Sequence, residues 1–332
     1  MVKGLYIMGR EAFNRVYSPQ IRADIEGLVT IDAPLVTQDE IKANMTLLND
    51  VEVIFSGWGG PKLDQTFLDA APHLKAFFYA AGSVKSIVTD EVWKRGITLS
   101  SAYAANAIPV AEYTLSQILF SLKNGWRYAL DIKNNQKYVR KDSNAIPGVY
   151  ERTVGIISLG MVGRRVCELL KPFDIKIIAY DPFVTKEEAE KLGVSLCSLE
   201  DIFREADVVS LHAPWLKETE NLITGEHFKA LKPSATFINT ARGAIVNEAE
   251  MVTVLKERQD ILAILDVTYP EPPKEGSLLF SLPNIILTPH IAGSEGRECE
   301  RLARYMVDEL KRYLNGESLQ WHITEKKFSI LA

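Results

Sequence analysis

Short runs of β-branched and aromatic residues alternate with amphipathic stretches along the first hundred residues. The runs are KGLYIMG (3–9), GLVTIDA (27–33), VEVIFSG (51–57), LKAFFYAA (74–81) and ITLSSA (97–102). Because strands that alternate with helices pair in parallel, this rhythm predicts a parallel sheet with helical connections. A longer helix follows, for which Asn106 and Pro109 are the start signals. Its apolar positions are Leu115, Ile118 and Leu122.

A second series of apolar runs begins at Val154, after the polar stretch 123–152. The six runs are VGIIS (154–158), KIIAYD (176–181), VVSLH (208–212), ATFIN (235–239), ILAILDV (261–267) and IILTPH (285–290). Six strands with helical connections is the number in a doubly wound dinucleotide-binding fold. Ser294 is the expected cap of a last helix, and we place the crossing between two domains near residue 103.

The segment between the first two strands of this series has the frame of a dinucleotide-binding loop. In TVGIISLGMVGRR, Ser158, Gly160 and Gly163 occupy the three positions of the G-x-G-x-x-G pattern. A helix follows, and Asp181 ends the next strand, 18 residues beyond Gly163. Gly160 lets the backbone approach a pyrophosphate, and the helix N-terminus with Met161 and Val162 supplies amides. We therefore expect a dinucleotide here, with Asp181 on its adenosine ribose.

Three further segments give the chain a resemblance to a known family. They are NTARGAIVNE (239–248), LDVTYPEPP (265–273) and LTPHIAG (287–293). Together with the glycine loop they resemble the D-isomer-specific 2-hydroxyacid dehydrogenases, a family that includes phosphoglycerate dehydrogenases and glyoxylate-hydroxypyruvate reductases. The resemblance implies a nicotinamide cofactor, which the Asp181 carboxylate indicates is NAD. It also implies a split α/β fold of two doubly wound parallel sheets. A flavodoxin-like substrate domain (1–102 and 295–332) would carry an inserted Rossmann NAD-binding domain (103–294).

The family's catalytic arginine, glutamate and histidine fall on Arg242, Glu271 and His290. The chemistry of these side chains agrees, because each follows a different strand at the edge of the sheet where ligands bind. A guanidinium binds the carboxylate of a 2-hydroxy acid, and an imidazole exchanges the hydroxyl proton. A carboxylate beside the imidazole fixes its tautomer.

Further site residues are predicted with less specific signals. In the family, the positions of Thr240, Asp266, His212 and Pro214 line the nicotinamide side, although Asp266 is equally suited to cap its strand end. The amides of Gly82 and Ser83, in AAGSVK (80–85), are placed to bind the substrate carboxylate. Trp58 is a candidate wall of the substrate pocket or an interface residue.

Composition restricts the class of protein further. The 332 residues suggest two domains, and a net charge of −5 spread along the chain argues against nucleic acid or an anionic membrane as partner. No apolar run approaches the roughly eighteen residues of a membrane span. The three cysteines lack the spacing of a zinc site, so we predict no metal and reduced thiols. The N-terminus shows no export signal, and we expect a soluble cytoplasmic protein.

Other functions stay open at this stage. A nucleotide-sensing binding protein similar to the co-repressors built on this fold keeps the same site residues, and a methyltransferase uses a similar glycine loop but has no use for the catalytic set. Against the binding protein stand the lack of long disordered interaction tails and the lack of a basic surface stretch. The resemblance also implies a homodimer, for which Leu115, Ile118, Leu122 and Trp126 form a plausible interface; a monomer that packs this face internally is the alternative.

Overall fold

The computed structural model describes residues 1–143 and 145–331, and the chain divides into two compact units. One unit is Met1–Ala107 with Ser294–Ala332, and the other is Ile108–Gly293. The first crossing therefore lies inside a helix, a few residues beyond the predicted position near 103. The second crossing lies one residue before the predicted one.

Strands and helices alternate through most of the chain. The strands are β1 Lys3–Ile7, β2 Thr30–Ile31, β3 Val53–Ser56, β4 Ala76–Tyr79, β5 Thr98–Ser101, β6 Arg152–Ile157, β7 Ile175–Tyr180, β8 Ser195–Leu196, β9 Val208–Leu211, β10 Thr236–Asn239, β11 Leu262–Leu265 and β12 Ile285–Leu287. The helices are α1 Arg10–Val16, α2 Pro19–Glu26, α3 Gln38–Ala43, α4 Gln65–Ala70, α5 Asp90–Lys94, α6 Tyr103–Ser121, α7 Gly125–Asn135, α8 Met161–Leu170, α9 Lys186–Leu192, α10 Leu199–Glu205, α11 Gly225–Ala230, α12 Glu248–Glu257, α13 Glu298–Leu314 and α14 Glu325–Ile330.

The first unit contains a five-stranded parallel sheet in the order β2-β1-β3-β4-β5. This is the flavodoxin-like order, and the prediction of a doubly wound sheet is confirmed. Helix α13 covers one face of the sheet, because Leu302, Met306 and Leu310 recur at helical spacing and are buried against Phe55 and Phe78.

The second unit contains a seven-stranded parallel sheet in the order β12-β11-β10-β9-β6-β7-β8. The six predicted runs form β6, β7 and β9 to β12, and the two-residue strand β8 is an addition that the sequence analysis missed. The chain moves outward from β6 in one direction and then, through β9, in the other. A doubly wound sheet binds ligands at the carboxyl ends of the strands where this reversal occurs.

The dimer interface predicted at Leu115, Ile118, Leu122 and Trp126 is wrong for Ile118 and Leu122. Ile118 and Leu122 are fully buried, and Leu115 and Trp126 pack against the same core, which also contains the β6 residue Ile156. These side chains therefore stabilise their own unit, as the alternative interpretation proposed. The indole of Trp126 also donates a hydrogen bond to the side-chain oxygen of Gln117 at 2.9 Å.

The three cysteines form no disulfide among the described residues. Cys167, Cys197 and Cys299 are free thiols, and burial raises the pKa of Cys167 to about 12. Within 1–143 and 145–331, no helix combines the length and the apolar character that crossing a membrane would demand.

Candidate active site

The carboxyl ends of the strands in the second unit carry nearly all of the predicted cofactor and catalytic residues. Because the strands are parallel, the residues that follow them lie along one edge of the sheet. The residues directly after the strand ends are Ser158, Asp181, His212, Thr240, Asp266 and Thr288. Arg242, Glu271 and His290 lie three to six residues beyond the ends of β10, β11 and β12.

The glycine loop is tightly built where it turns and open where a ligand would approach. Ser158 has a φ of +76°, a left-handed conformation in which a non-glycine residue is strained. A side chain at Gly163 would place its Cβ 2.1 Å from the carbonyl oxygen of Ser158, so only glycine allows α8 to pack this close. A Cβ at Gly160 would meet nothing within 4 Å.

The Asp181 carboxylate stabilises the glycine loop through hydrogen bonds. Its Oδ2 accepts hydrogen bonds from the Leu159 amide at 2.7 Å and from the Ser158 hydroxyl at 3.3 Å, and its Oδ1 accepts one from the Phe183 amide at 2.8 Å. From the sequence, only a ribose contact is predicted for this carboxylate. Because a carboxylate has about four acceptor positions, one position remains for a ligand hydroxyl.

These features fit the dinucleotide that the sequence predicts. Gly160 caps α8 without a side-chain hydrogen bond, so the amides of its first turn, including Met161 and Val162, are not satisfied by a capping side chain. An open glycine, helix amides and a carboxylate at the next strand end are the parts that bind a pyrophosphate and a ribose.

The segment after β9 contributes an uncharged imidazole. The Nε2 of His212 lies 3.0 Å from the Ser210 hydroxyl, and its Nδ1 is buried without a partner among the described residues. Burial lowers the pKa of His212 to about 3, so the ring is neutral at physiological pH.

The Pro214 carbonyl accepts a hydrogen bond from the Thr219 hydroxyl at 2.6 Å, which fixes the conformation of the loop after β9. Thr240 is buried, with its hydroxyl 3.3 Å from that of Thr114.

The three predicted catalytic side chains are brought together at the sheet edge. Oε1 of Glu271 lies 2.6 Å from Nδ1 of His290, and both side chains are close to half exposed. Burial lowers the pKa of the Arg242 guanidinium, while the nearby charge of Glu271 acts in the opposite direction. Glu271 therefore interacts with both residues, with His290 through a hydrogen bond and with Arg242 through its charge.

The loop that carries Arg242 is fixed by its neighbours. Oδ1 of Asn239 accepts from the Ala241 amide at 2.9 Å, and its Nδ2 donates to the Arg242 carbonyl at 3.0 Å. A Cβ on Gly243 would lie 2.0 Å from the carbonyl carbon of Thr268, so this glycine lets the arginine loop lie directly against the next loop. The guanidinium itself donates to the Ala241 carbonyl at 2.6 Å.

Asp266 holds the loop that carries His290. Its Oδ1 accepts from the Thr288 hydroxyl at 2.6 Å and the Ile291 amide at 2.9 Å, and its Oδ2 accepts from the Ala292 amide at 2.9 Å. His290 has a φ of +56°, which costs a non-glycine residue conformational energy. The buried carboxylate therefore stabilises an unfavourable backbone conformation at the predicted catalytic histidine, a role different from the nicotinamide contact and the strand-end cap that were predicted for Asp266.

Replacing this carboxylate tests that role. In Asp266→Asn the amide nitrogen faces a backbone N–H, so at least one buried hydrogen bond is lost. We expect a destabilisation of about 1.5–3 kcal/mol, the usual value for a hydrogen bond to a charged group. We also expect kcat to fall at least about tenfold, because small displacements of reacting groups are costly. Thermal unfolding and steady-state rates measure the two effects. Asp131→Asn, on the exposed helix α7, is the control; an Asp266→Asn protein that matches it in both measurements would contradict this role.

An unpredicted pocket of about 240 Å³ lies beside Arg242 and Glu271. Trp215 and Tyr269 form its aromatic walls, and their rings meet edge to face with centroids 5.3 Å apart. We name it the Trp215 pocket. The sequence offered one signal, an aromatic residue directly after the HAP segment (212–214), but only the fold places it against the loop after β11.

Gly82, Ser83 and Trp58 belong to the first unit. Gly82 and Ser83 follow β4, where the Ser101 hydroxyl donates to the Gly82 carbonyl at 2.6 Å and the Lys85 amide donates to the Ser83 hydroxyl at 3.3 Å. Trp58 follows β3 and is partly buried against the core of its own unit. Their contact with a substrate stays a prediction.

Comparisons with known proteins agree with this arrangement. Residues 115–292 match the model of the D-isomer specific 2-hydroxyacid dehydrogenase NAD binding domain. The D-3-phosphoglycerate dehydrogenase of Methanocaldococcus jannaschii is 34% identical over 270 residues, which are 81% of this chain and 50% of that protein. This chain thus spans about half the length of that relative.

Two solved structures share the fold. The D-mandelate dehydrogenase of Rhodotorula graminis has a TM-score of 0.81 at 21% identity and covers 98% of each chain. The NAD complexed form of a D-isomer specific 2-hydroxyacid dehydrogenase from Lactobacillus delbrueckii ssp. bulgaricus has a TM-score of 0.79 at 21% identity, covering 98% of this chain and 100% of that one.

Proposed function

Because this chain belongs to the D-isomer specific 2-hydroxyacid dehydrogenase family, we propose that it interconverts a D-2-hydroxy acid and the corresponding 2-keto acid. Its cofactor is NAD, and residues 115–292 are its NAD-binding domain. The proposed reaction is the transfer of a hydride to or from carbon 2 of the acid, with a proton exchanged at the neighbouring oxygen.

One observation carries the proposal: the 2.6 Å contact between Nδ1 of His290 and Oε1 of Glu271, beside the Arg242 guanidinium. A 2-hydroxy acid needs one group for its carboxylate and another for its hydroxyl proton. These side chains supply both on the carboxyl edge of a sheet whose glycine loop fits a dinucleotide. A purely structural cluster would not require an imidazole, a guanidinium and a carboxylate from three different loops.

The roles of the residues follow from their contacts. Bound NADH supplies the hydride for reduction. Arg242 binds the substrate carboxylate through its planar donors and polarises the ketone oxygen. Because Nδ1 of His290 is hydrogen-bonded to Glu271, Nε2 is the atom that gives a proton to the ketone oxygen in reduction and takes it back in oxidation. Glu271 fixes the tautomer and stabilises the imidazolium.

Turnover with a panel of 2-keto acids tests the proposal. The protein is mixed with NADH and each keto acid, and the loss of NADH absorbance is followed. We expect saturable, enzyme-dependent oxidation of NADH with at least one acid, and none with the matching simple ketone that lacks a carboxylate. Binding of NADH without turnover of any 2-keto acid would contradict the proposal and favour a nucleotide-sensing protein.

We expect NADH to be preferred over NADPH by at least about tenfold in kcat/KM. The carboxylate of Asp181 would lie against the extra 2′-phosphate and repel it, and the following residues, Pro182 and Phe183, offer no positive charge. Asp181→Ser should narrow the preference, with Asp131→Asn as an exposed control. Equal or better efficiency of the wild type with NADPH would show that Asp181 has been given the wrong role.

Location and assembly complete the proposal. We propose a cytoplasmic homodimer that acts on a small-molecule acid. Because Ile118 and Leu122, two of the residues first chosen for the interface, are buried in their own unit, we place the contact between subunits on exposed residues. Phe120 of α6 and Ile132 of α7 are exposed apolar side chains of this region.

A further inference from the structure

The Trp215 pocket has the size of a substituent-binding site. Its volume of about 240 Å³ lies just below the range of roughly 300–1,000 Å³ that is usual for small-molecule sites. It borders both Arg242 and Glu271, so a substrate whose carboxylate is held by Arg242 has this space beside it. The pocket therefore lies where the protein can distinguish 2-keto acids by the size and polarity of their side chains.

The walls of the pocket present aromatic surface. Trp215 retains 41% of its surface exposed and Tyr269 retains 52%, although both are large apolar side chains. Their rings stand at 68° to each other. Such an edge-to-face pair favours a third ring or a bulky alkyl group against its open surfaces.

Both walls are fixed before a ligand binds. Around Trp215, the Thr219 hydroxyl accepts from the Leu216 amide at 2.8 Å, and the Asn221 amide donates to the Ala244 carbonyl at 3.0 Å. On the other side, the Thr268 hydroxyl donates to the Pro270 carbonyl at 2.9 Å. A wall that is ordered in advance loses little entropy when it takes up a ligand.

The charges of the pocket disfavour a second anionic group. Arg242 is the single cationic side chain among the described residues that line it, and the proposed function already assigns this guanidinium to the substrate carboxylate. The remaining charged wall is Glu271. A phosphate on the substituent would meet a carboxylate of the same sign with no cation to balance it.

We propose that the Trp215 pocket binds the substituent of the substrate and selects 2-keto acids with an aromatic or bulky apolar group over phosphorylated ones. This inference rests on the proposed dehydrogenase function and deepens it. Trp215 and Tyr269 are then specificity-determining residues for the reaction. Several relatives are named D-3-phosphoglycerate dehydrogenases, and we infer a different substrate class for this chain.

Three keto acids test the inference. The kcat/KM values of phenylpyruvate, pyruvate and 3-phosphohydroxypyruvate are measured with NADH for the wild type, Trp215→Ala and Tyr269→Ala. We expect phenylpyruvate to exceed pyruvate at least tenfold in the wild type, with the phosphorylated acid the poorest. Trp215→Ala should reduce the phenylpyruvate-to-pyruvate ratio about tenfold while pyruvate itself changes less than twofold, the size of effect that one lost apolar contact surface produces. Phe280→Ala removes an exposed aromatic side chain outside the pocket and serves as the control.

The outcomes separate this inference from the proposed function. An unchanged ratio in Trp215→Ala, or a wild type that prefers 3-phosphohydroxypyruvate, would overturn the pocket assignment while the dehydrogenase function stands. A Trp215→Ala variant that loses affinity for NADH but keeps its selectivity would also overturn it. Direct titration of D-phenyllactate into the protein with NADH gives a readout without turnover, and we expect about tenfold weaker binding in Trp215→Ala. Failure of every acid to react would instead contradict the proposed function.

Discussion

The variant His290→Gln should reduce kcat for 2-keto acid reduction by about 10²–10⁴-fold, the usual contribution of a positioned acid or base. Glutamine can fill the space and accept or donate hydrogen bonds, but it cannot supply a proton to the ketone oxygen. The dissociation constant of NADH should change little, because the glycine loop and Asp181 are separate from this side chain. Rapid-quench or steady-state kinetics and a fluorescence titration of NADH measure the two quantities.

Glu271→Gln is the matched companion to this experiment. The amide oxygen can still accept the hydrogen bond from Nδ1 of His290, but the negative charge beside the imidazolium is gone. We expect kcat to fall on the order of tenfold, the factor that corresponds to about 1.4 kcal/mol. If His290→Gln keeps wild-type turnover, or loses no more than Glu271→Gln does, His290 is not the acid and base of the reaction.

The second large effect is expected at Arg242. Arg242→Ala should lower kcat/KM by about 10²–10⁴-fold, because two charge-assisted hydrogen bonds of about 1.5–3 kcal/mol each are lost. The loss should appear in KM for the keto acid and also in kcat, since the guanidinium both binds the carboxylate and polarises the ketone.

Arg242→Lys is the control variant that separates the effect of the positive charge from that of the planar donor geometry. Lysine keeps the positive charge but lacks the planar pair of donors, so its kcat/KM should lie between those of the wild type and Arg242→Ala. Measurements with several keto acids should show the same loss, because the carboxylate is common to all of them. A KM that is unchanged in Arg242→Ala would assign the substrate carboxylate to another residue.

Much of the fold follows from the pattern of apolar residues. Strands β9, β10 and β11 are buried at every position, and β6 is buried over its last four residues, so a mainly apolar stretch marks each of them in the sequence. Strands β7 and β12 are buried only in part. Strand β8 is only two residues long and partly exposed, so Ser195 and Leu196 carried no such signal.

Helix ends were harder to predict, because local signals compete with tertiary contacts. Pro109 was interpreted as a start signal, but α6 begins at Tyr103 and the proline lies inside it. Ser294 was the expected cap of α13, which instead begins at Glu298 after Arg297. The Ser294 amide donates to the Asn106 side chain at 2.9 Å, a contact between residues 188 positions apart that no local pattern contains.

The candidate site was predictable in its residue types but not in its connections. The family resemblance pointed to Arg242, Glu271 and His290, and their positions after three strands of one parallel sheet agreed with it. The bracing of the His290 loop by Asp266 depends on a backbone conformation of +56° in φ, which the sequence does not encode in any visible motif. Likewise, Trp215 and Tyr269 are 54 residues apart in the chain and meet only after the loops have packed.

The most direct test of the central claim is to follow the transferred hydrogen. The wild type is incubated with a 2-keto acid that it turns over and with NADH that carries deuterium at the transferred position of carbon 4, and the product is analysed by mass spectrometry and chiral chromatography. We expect a D-2-hydroxy acid with one deuterium at carbon 2, and a yield that falls at least about a hundredfold in His290→Gln. An unlabelled hydroxy acid, an L product, or equal yield from His290→Gln would contradict the central claim.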